Sequence, residues 1–332
     1  MASLAATLAI AESTAFDSLV EAERAFADDS VARGMRPAFL EALAPDAVLF
    51  RAGPVNGVRL WQARRESPEV LAWTPSYAEI CGSGDFGFTT GPWTIAASKD
   101  TAPSGFGHFV SVWKRDAHTG WRVVLDIGIS HDDPGTALNR VKVTRGPVHA
   151  RPDSLKLRGW DAGVGVRRGN TGIGIGTGGI GIGVGSGGFG VGLGSSGMDS
   201  RGDVLWRRMA HEKNRLMSAE RTLAFTARTK GWARAYQSVA AGDVRVYREG
   251  HAPSIGAEAA VEWNAAVPTA REWQSRGVAV APSWDLGYAY GIAIARVKGG
   301  PPDTASYAHL WRKDDAGEWR LMLDIENPFP KR

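Results

Sequence analysis

Val112–Ile127 reads VWKRDAHTGWRVVLDI, and Leu310–Ile325 reads LWRKDDAGEWRLMLDI. Two stretches this similar, one in each half, make the chain a duplication. Each reads as a β-hairpin: an apolar arm closing on Trp113 or Trp311, a polar turn with Asp, Ala and Gly, then a second arm opened by Trp121 or Trp319 and ending in Leu-Asp-Ile. Strict alternation puts Trp121, Val123, Leu125 and Ile127 on one face and Arg122, Val124 and Asp126 on the other. Apolar groups on both faces suit a sheet covered on both sides.

Outward from the first hairpin, the spacing of Phe16, Leu19, Val20 and Phe26 predicts an amphipathic helix, with Glu21, Glu23, Arg24 and Asp28 in its remaining positions. Gly34 breaks it. Pro37 fits the first turn of a second helix carrying Phe39, Leu40 and Leu43, and Asn56-Gly57 caps a third through Trp61. Strands are expected at Ala47–Arg51, Tyr77–Cys81, within Ser83–Ile95 and at Phe106–Lys114. The second half repeats the order. Ala22-Glu23-Arg24 matches Ala219-Glu220-Arg221, Gly34 matches Gly231, Phe39 matches Tyr236, and Arg51 matches Arg248. Further on, Trp73 matches Trp273, Asp85 matches Asp285, Gly91 matches Gly291, and Asp126 matches Asp324. Three helices followed by a curved antiparallel sheet is therefore one unit used twice.

The 332 residues suffice for two ordinary domains, and 43% hydrophobic with 22% charged residues is a globular composition. Net charge is only +4, with an isoelectric point near 9.3, so nucleic acid is not implied. The single cysteine, Cys81, excludes an internal disulfide framework and a multi-thiolate metal site. No run has the length of a transmembrane helix. The N-terminal MASLAATLAIAESTAF carries small residues like the end of a secretory signal but lacks a basic n-region. It is either the lead-in to the first helix or the remnant of a longer export signal, and a periplasmic or secreted location is favoured over a cytoplasmic one.

The helix with Ala-Glu-Arg, PDAVLFR at 45–51, SGDFGFTTGPW at 83–93 and the Trp hairpin together resemble the nuclear-transport-factor-two-like superfamily, in its SnoaL-like bacterial branch. The second half keeps the pattern less closely, with GDVRVYR at 242–248 and SWDLGYAYG at 283–291. The resemblance implies an α+β cone in each half, helices packed on a strongly curved sheet around an apolar pocket, often paired through sheet faces. It implies no single reaction. The domain expectation is a lead-in at 1–15, a first SnoaL-like domain at 16–133, a polar and Gly-rich connector at 134–202, and a second domain at 203–332.

Within the connector, Pro134–Lys156 reads as a solvated segment rather than a nucleic-acid patch. GIGIGTGGIGIGVGSGGFGVGLGSSG, Gly172–Gly197, alternates glycine with apolar residues. It reads either as short antiparallel strands turning at Gly178-Gly179, Gly187-Gly188 and Ser195-Ser196-Gly197, or as a flexible tether. Its literal match to a dinucleotide fingerprint is expected by chance in so much glycine.

No metal-binding helix motif and no nucleophile elbow is present, and no cofactor is called for. Acid–base chemistry in an apolar cone is the reaction class left. Asp126 is a carboxylate near the end of an apolar strand, and His108 is a second titratable group that the other half replaces by Ser306; together they are the candidate catalytic pair. Arg51 and Arg248 end matching strands, with Asp85 and Asp285 as candidate ion-pair partners. Trp113, Trp121, Trp311 and Trp319 read as core anchors. Candidate pocket residues are Trp73, Tyr77, Trp93 and Arg51 in the first half and Trp273, Tyr290, His309 and Asp324 in the second. Three functions stay open: binding of a small apolar or aromatic molecule, a cofactor-independent lyase, isomerase or hydrolase, and a structural pseudo-dimer of the two halves with filled cones.

Overall fold

Helix α1 (Ala2–Arg33) buries a stripe of Phe16, Leu19, Val20, Glu23, Phe26, Ala27 and Ser30, a 3.6-residue period that includes one carboxylate. Glu23 is thus on the buried face, not among the solvent positions where simple amphipathicity puts it. The computed structural model describes residues 2–147, 171–176, 179–184, 191–192, 200–265, 271–295 and 302–330. Gly34, at φ 97°, turns the chain from α1 into α2 (Met35–Ala42), a conformation in which a side chain would be strained. Next come β1 (Leu43–Arg51), β2 (Gly53–Asn56) and α3 (Gly57–Ala63), where the Asn56 side chain caps the helix by accepting the Arg59 N–H at 2.9 Å.

Strands β3 (Val70–Trp73), β4 (Tyr77–Ile80), β5 (Phe86–Ala96), β6 (Gly105–Asp116), β7 (Gly120–His131) and β8 (Thr144–Arg145) complete the first half. The sheet runs β2-β1-β7-β6-β5-β4-β8, with β3 also on β5. Its pairs are antiparallel except β1 against β7 and β4 against β8. Helices α1–α3 cover one face of the curved sheet. Gly91 is a close-approach glycine, since a Cβ there would lie 2.0 Å from the Thr74 carbonyl oxygen.

In the Gly-rich segment, β9 (Thr171–Gly176) pairs antiparallel with β10 (Gly179–Val184), and β10 with β11 (Val191–Gly192). Ile175 faces Ile180 and Ile173 faces Ile182, as glycine–apolar alternation predicts. The expected turns at Gly187-Gly188 and Ser195-Ser196-Gly197 lie outside the described residues. The chain divides into two compact units, one of residues 1–151 with 216–332 and one of residues 152–215.

The order then recurs: α4 (Ser200–Lys230), α5 (Trp232–Val239), β12 (Ala240–Arg248), β13 (Ser254–Ile255), α6 (Ala257–Ala265), β14 (Arg271–Val280), β15 (Leu286–Ala295), β16 (Asp303–Lys313) and β17 (Trp319–Pro328). The sheet β13-β12-β17-β16-β15-β14 repeats the first, with β12 parallel to β17. Where Pro75 separates β3 from β4, β14 continues through a bulge between Ser275 and Gly277. Each half is an α+β cone, the fold that the resemblance implied.

The sheet faces turned away from the helices share one apolar cluster, with Phe86, Phe88, Val110, Val112, Leu125 and Ile127 from the first half and Tyr247, Leu286, Tyr288, Leu310, Leu323 and Ile325 from the second. Phe86 stacks on Tyr288 at 6.1 Å, and Ser83 hydrogen-bonds Ser283 at 3.0 Å. No helix among the described residues is long and apolar enough to cross a membrane.

Candidate functional site

The faces of β6 and β7 are decided by one extra residue. Along β6, Phe109 and Trp113 pack with the helix-side core, and Ser111 lies between them on that face; Val110 and Val112 pack on the opposite side. On β7 the register slips between the Val112–Leu125 and Trp113–Val123 pairs, leaving Val124 as a bulge. Trp121 and Val123 therefore lie in the helix-side core while Leu125 and Ile127 lie in the inter-sheet cluster, against the uniform alternation expected of this strand. The bulge also turns Asp126 to the helix side, opposite Ser111.

A cavity of about 270 Å³ opens on that face of the first half. Phe26, Phe39, Trp61, Trp73, Trp93 and Phe109 give it aromatic walls, and its polar groups are Arg51, Arg64, Ser111, Asp126, Ser130 and Asn327. Asn327 comes from β17, and its side-chain amide donates to the Gly128 carbonyl at 2.5 Å. Asp126 accepts a hydrogen bond from Ser111 Oγ at 2.9 Å. Burial lifts its carboxyl from 3.8 to about 6, against the Ser111 hydrogen bond and the charge of Arg51. Below it, Glu23 accepts the indole N–H of Trp73 at 2.6 Å and of Trp113 at 2.7 Å, as well as the Thr89 hydroxyl. Burial raises Glu23 to about 7, although these donors pull the other way. The sequence marked Ala-Glu-Arg as a repeated motif without giving its glutamate a role; the available signal was its place in the stripe of Phe16, Leu19 and Phe26.

The matched interior of the second half is closed by its own side chains. Asp324 receives Arg248 Nη2 at 2.5 Å and the Tyr236 hydroxyl, and His309 Nε2 lies 3.4 Å away. His309 Nδ1 bonds Glu220 at 3.0 Å, and Glu220 accepts the Trp311 indole N–H at 2.6 Å. Burial alone would neutralise His309, but Glu220 and Asp324 hold it protonated, raised to about 10. Burial likewise opposes the charge on Asp324, yet Arg248 and His309 keep it far below the carboxylate range. Ser111 and Phe39 in the first half correspond to His309 and Tyr236 here, and those smaller or apolar groups leave Asp126 facing open space.

Of the residues expected at a pocket, Trp73, Trp93 and Arg51 line the cavity together with Asp126. His108 does not join them: it lies on the other sheet face, Nδ1 2.8 Å from His131 Nε2 and its ring 6.0 Å from that of Tyr247. The Asp126–His108 pair expected from the sequence is therefore not formed, because adjacent strand positions point to opposite faces and His108 has the wrong parity. Burial, with His131 beside it, lowers His108 to about 4. Tyr77 also faces away, its hydroxyl donating to Glu79 at 2.8 Å under the guanidinium of Arg245. Tyr290 lies in the inter-sheet contact, edge-on to Phe50. His309 and Asp324 are fully buried in the closed network, and Trp273 packs edge-on against His309. Among the described residues Arg51 bonds the Phe50 carbonyl and Arg248 pairs with Asp324 and Glu326, rather than with the Asp85 and Asp285 expected from the sequence. Asp85 and Asp285 instead accept from Ser83 and Ser283 at the contact of the two sheets. Met35, Trp61, Arg64, Ser111 and Asn327 line the cavity without having been singled out in the sequence.

No protein-family model matches the chain, and no curated protein matches it. Several solved structures do. A ketosteroid isomerase-like protein from Erwinia carotovora atroseptica is 16% identical over 36% of this chain and 98% of its own, with a TM-score of 0.32. An NTF2-like protein with a cystatin-like fold from Novosphingobium aromaticivorans is 18% identical over 41% of this chain and 94% of its own, with a TM-score of 0.35. A Mycobacterium tuberculosis protein in complex with estradiol-17beta-hemisuccinate is 13% identical over 34% and 92%, with a TM-score of 0.28. Each covers about a third of this chain and nearly all of its own.

Proposed function

We propose that the first half binds a small apolar or aromatic molecule in the cavity around Asp126, and that the second half serves as the filled partner of an intramolecular pseudo-dimer. One contrast carries this reading: Asp126 faces open space with a single hydrogen bond from Ser111, whereas the matched Asp324 is enclosed by Arg248, His309 and Tyr236. A cavity of about 150 Å³ holds a benzene, so about 270 Å³ suits one or two rings. Aromatic walls with a few convergent polar groups are the usual make-up of a small-molecule site. Trp61, Trp73 and Trp93 supply the readout, because a ring bound among them quenches their fluorescence. Titration with monocyclic and bicyclic aromatics should give saturable quenching that Leu71→Trp, which fills the cavity, removes. Quenching that never saturates, or that survives Leu71→Trp, would sink the proposal.

A second reading, proton transfer in the same cavity, is favoured by the carboxyl of Asp126, which burial holds near neutrality in apolar surroundings. Deuterium exchange at C1 of 2-tetralone, followed by NMR, tests it. Exchange should be accelerated by the wild type and not by Asp126→Asn; equal rates with both proteins would exclude Asp126 as the base.

A further inference from the structure

The two interiors differ in charge as well as in filling. In the second half, Glu326 places its carboxylate 2.6 Å from Arg271 Nη1 and 3.9 Å from Arg248 Nε, and it accepts the Trp273 indole N–H at 3.3 Å. Strand register identifies its counterpart: Tyr307 pairs with Glu326 as Phe109 pairs with Gly128. The first half thus has a glycine, on the cavity wall, where the second has a carboxylate. Arg51, the match of Arg248, forms no ion pair among the described residues, and its one side-chain hydrogen bond goes to the adjacent Phe50 carbonyl. Arg64 brings a second guanidinium to the same lining, with its nearest carboxylate, Glu69, at 3.7 Å. The indole nitrogen of Trp93 lies 3.5 Å from the point where a Cβ on Gly128 would stand. Of the groups around Glu326 the first half keeps Arg51 alone: Leu71 stands at the place of Arg271, and the indole of Trp73, the match of Trp273, goes to Glu23. Arg64 and the Trp93 indole are cavity groups of the first half's own, and apart from Asp126 no carboxylate stands in that lining to replace Glu326.

We propose that the ligand supplies this anion: the cavity takes a small aromatic carboxylate whose carboxylate group fills the space over Gly128 that Glu326 fills in the second half. There it pairs with Arg51 and Arg64 and accepts the Trp93 indole N–H, while its ring lies among the aromatic walls. Burying a guanidinium–carboxylate contact beside a cavity strengthens it relative to water, and a neutral ligand of the same shape forfeits that contact. The proposal rests on the reading of this cavity as a binding site, and its test separates the two.

Isothermal titration calorimetry of the full chain with 2-naphthoate and with its neutral isostere 2-naphthamide gives the measurement. A charge-assisted hydrogen bond corresponds to about tenfold or more in affinity, so the wild type should prefer naphthoate by at least about tenfold. Arg51→Gln should bring that preference close to unity. Gly128→Glu places the protein's own carboxylate in the space and should abolish naphthoate binding; if that variant fails to fold, the Arg51→Gln ratio still decides. Equal affinity for the two probes in the wild type, or a preference untouched by Arg51→Gln, overturns the carboxylate ligand and leaves the cavity as a binding site. Binding of neither probe overturns both.

Discussion

Asp126→Asn and Asp324→Asn remove the same charge at matched positions, and they should move stability in opposite directions. Burial lifts Asp126 from 3.8 to about 6, so its ionised form is less favourable in the folded than in the unfolded chain. One pKa unit corresponds to about 1.36 kcal/mol, which bounds the penalty at about 3 kcal/mol well above pH 6. Water entering the cavity beside the carboxylate reduces this to about 1–2 kcal/mol. Asparagine keeps an oxygen for the Ser111 hydroxyl and carries no charge, so the variant should be more stable by that amount at pH 8. The gain should shrink as pH falls below 6, where the folded wild type takes up a proton first, and vanish below about 4, where both states are protonated. Asp324 has a depressed pKa and sits between Arg248 and His309 with no exposure. Neutralising it leaves two buried cations short of their partner, at a cost of about 3–5 kcal/mol. Urea denaturation followed by tryptophan fluorescence and circular dichroism, with slopes compared as well as midpoints, reads both effects. Midpoints that move the same way at pH 8, or an Asp126→Asn gain that grows on acidification, would refute the assignment of one carboxylate to an open cavity and the other to a closed network.

His309, raised to about 10 against an ordinary 6.5, contributes stability that is fully present below about pH 6.5 and is lost as pH rises through about 10. Melting temperatures of wild type and His309→Gln should therefore differ at pH 6 and converge above pH 10. Glu23→Leu leaves the indole N–H groups of Trp73 and Trp113 buried without their acceptor, and should cost about 2–5 kcal/mol in chemical denaturation. Gly91→Ala drives a methyl to 2.0 Å from the Thr74 carbonyl and should cost about 1–3 kcal/mol. Gly120→Ala meets no atom within 4 Å, so only its φ of 74° opposes it, and the loss should stay near about 1 kcal/mol; a larger drop in melting temperature for Gly120→Ala than for Gly91→Ala would contradict both readings.

Local chemistry was legible wherever a residue acts on its own neighbourhood. Asn56 caps α3 because its side chain reaches an amide three residues on, and Gly34 and Gly231 separate helices because they alone adopt positive φ there without strain. The four hairpin tryptophans are buried, as their size demands. Glu23 escaped a structural reading because a carboxylate on a helix is ordinarily solvated, and only the convergence of two indoles and a threonine from β3, β5 and β6 makes its burial tolerable.

By itself the sequence determined the duplication, the order of helices and strands in each half, and the apolar character of both sheet faces, since periodicity and matched motifs are properties of the chain. Which residues meet inside each cone was decided only by the tertiary structure. Side chains on a strand alternate with a period of two, so the bulge at Val124 sends Asp126 into the cavity, and a single step along β6 separates His108 from Ser111's face. The same holds for the contrast between the halves: Asp126 and Asp324 align in sequence, but whether a carboxylate stands open or enclosed depends on what other elements place around it, three of them (α5, β12 and β16) in the case of Asp324.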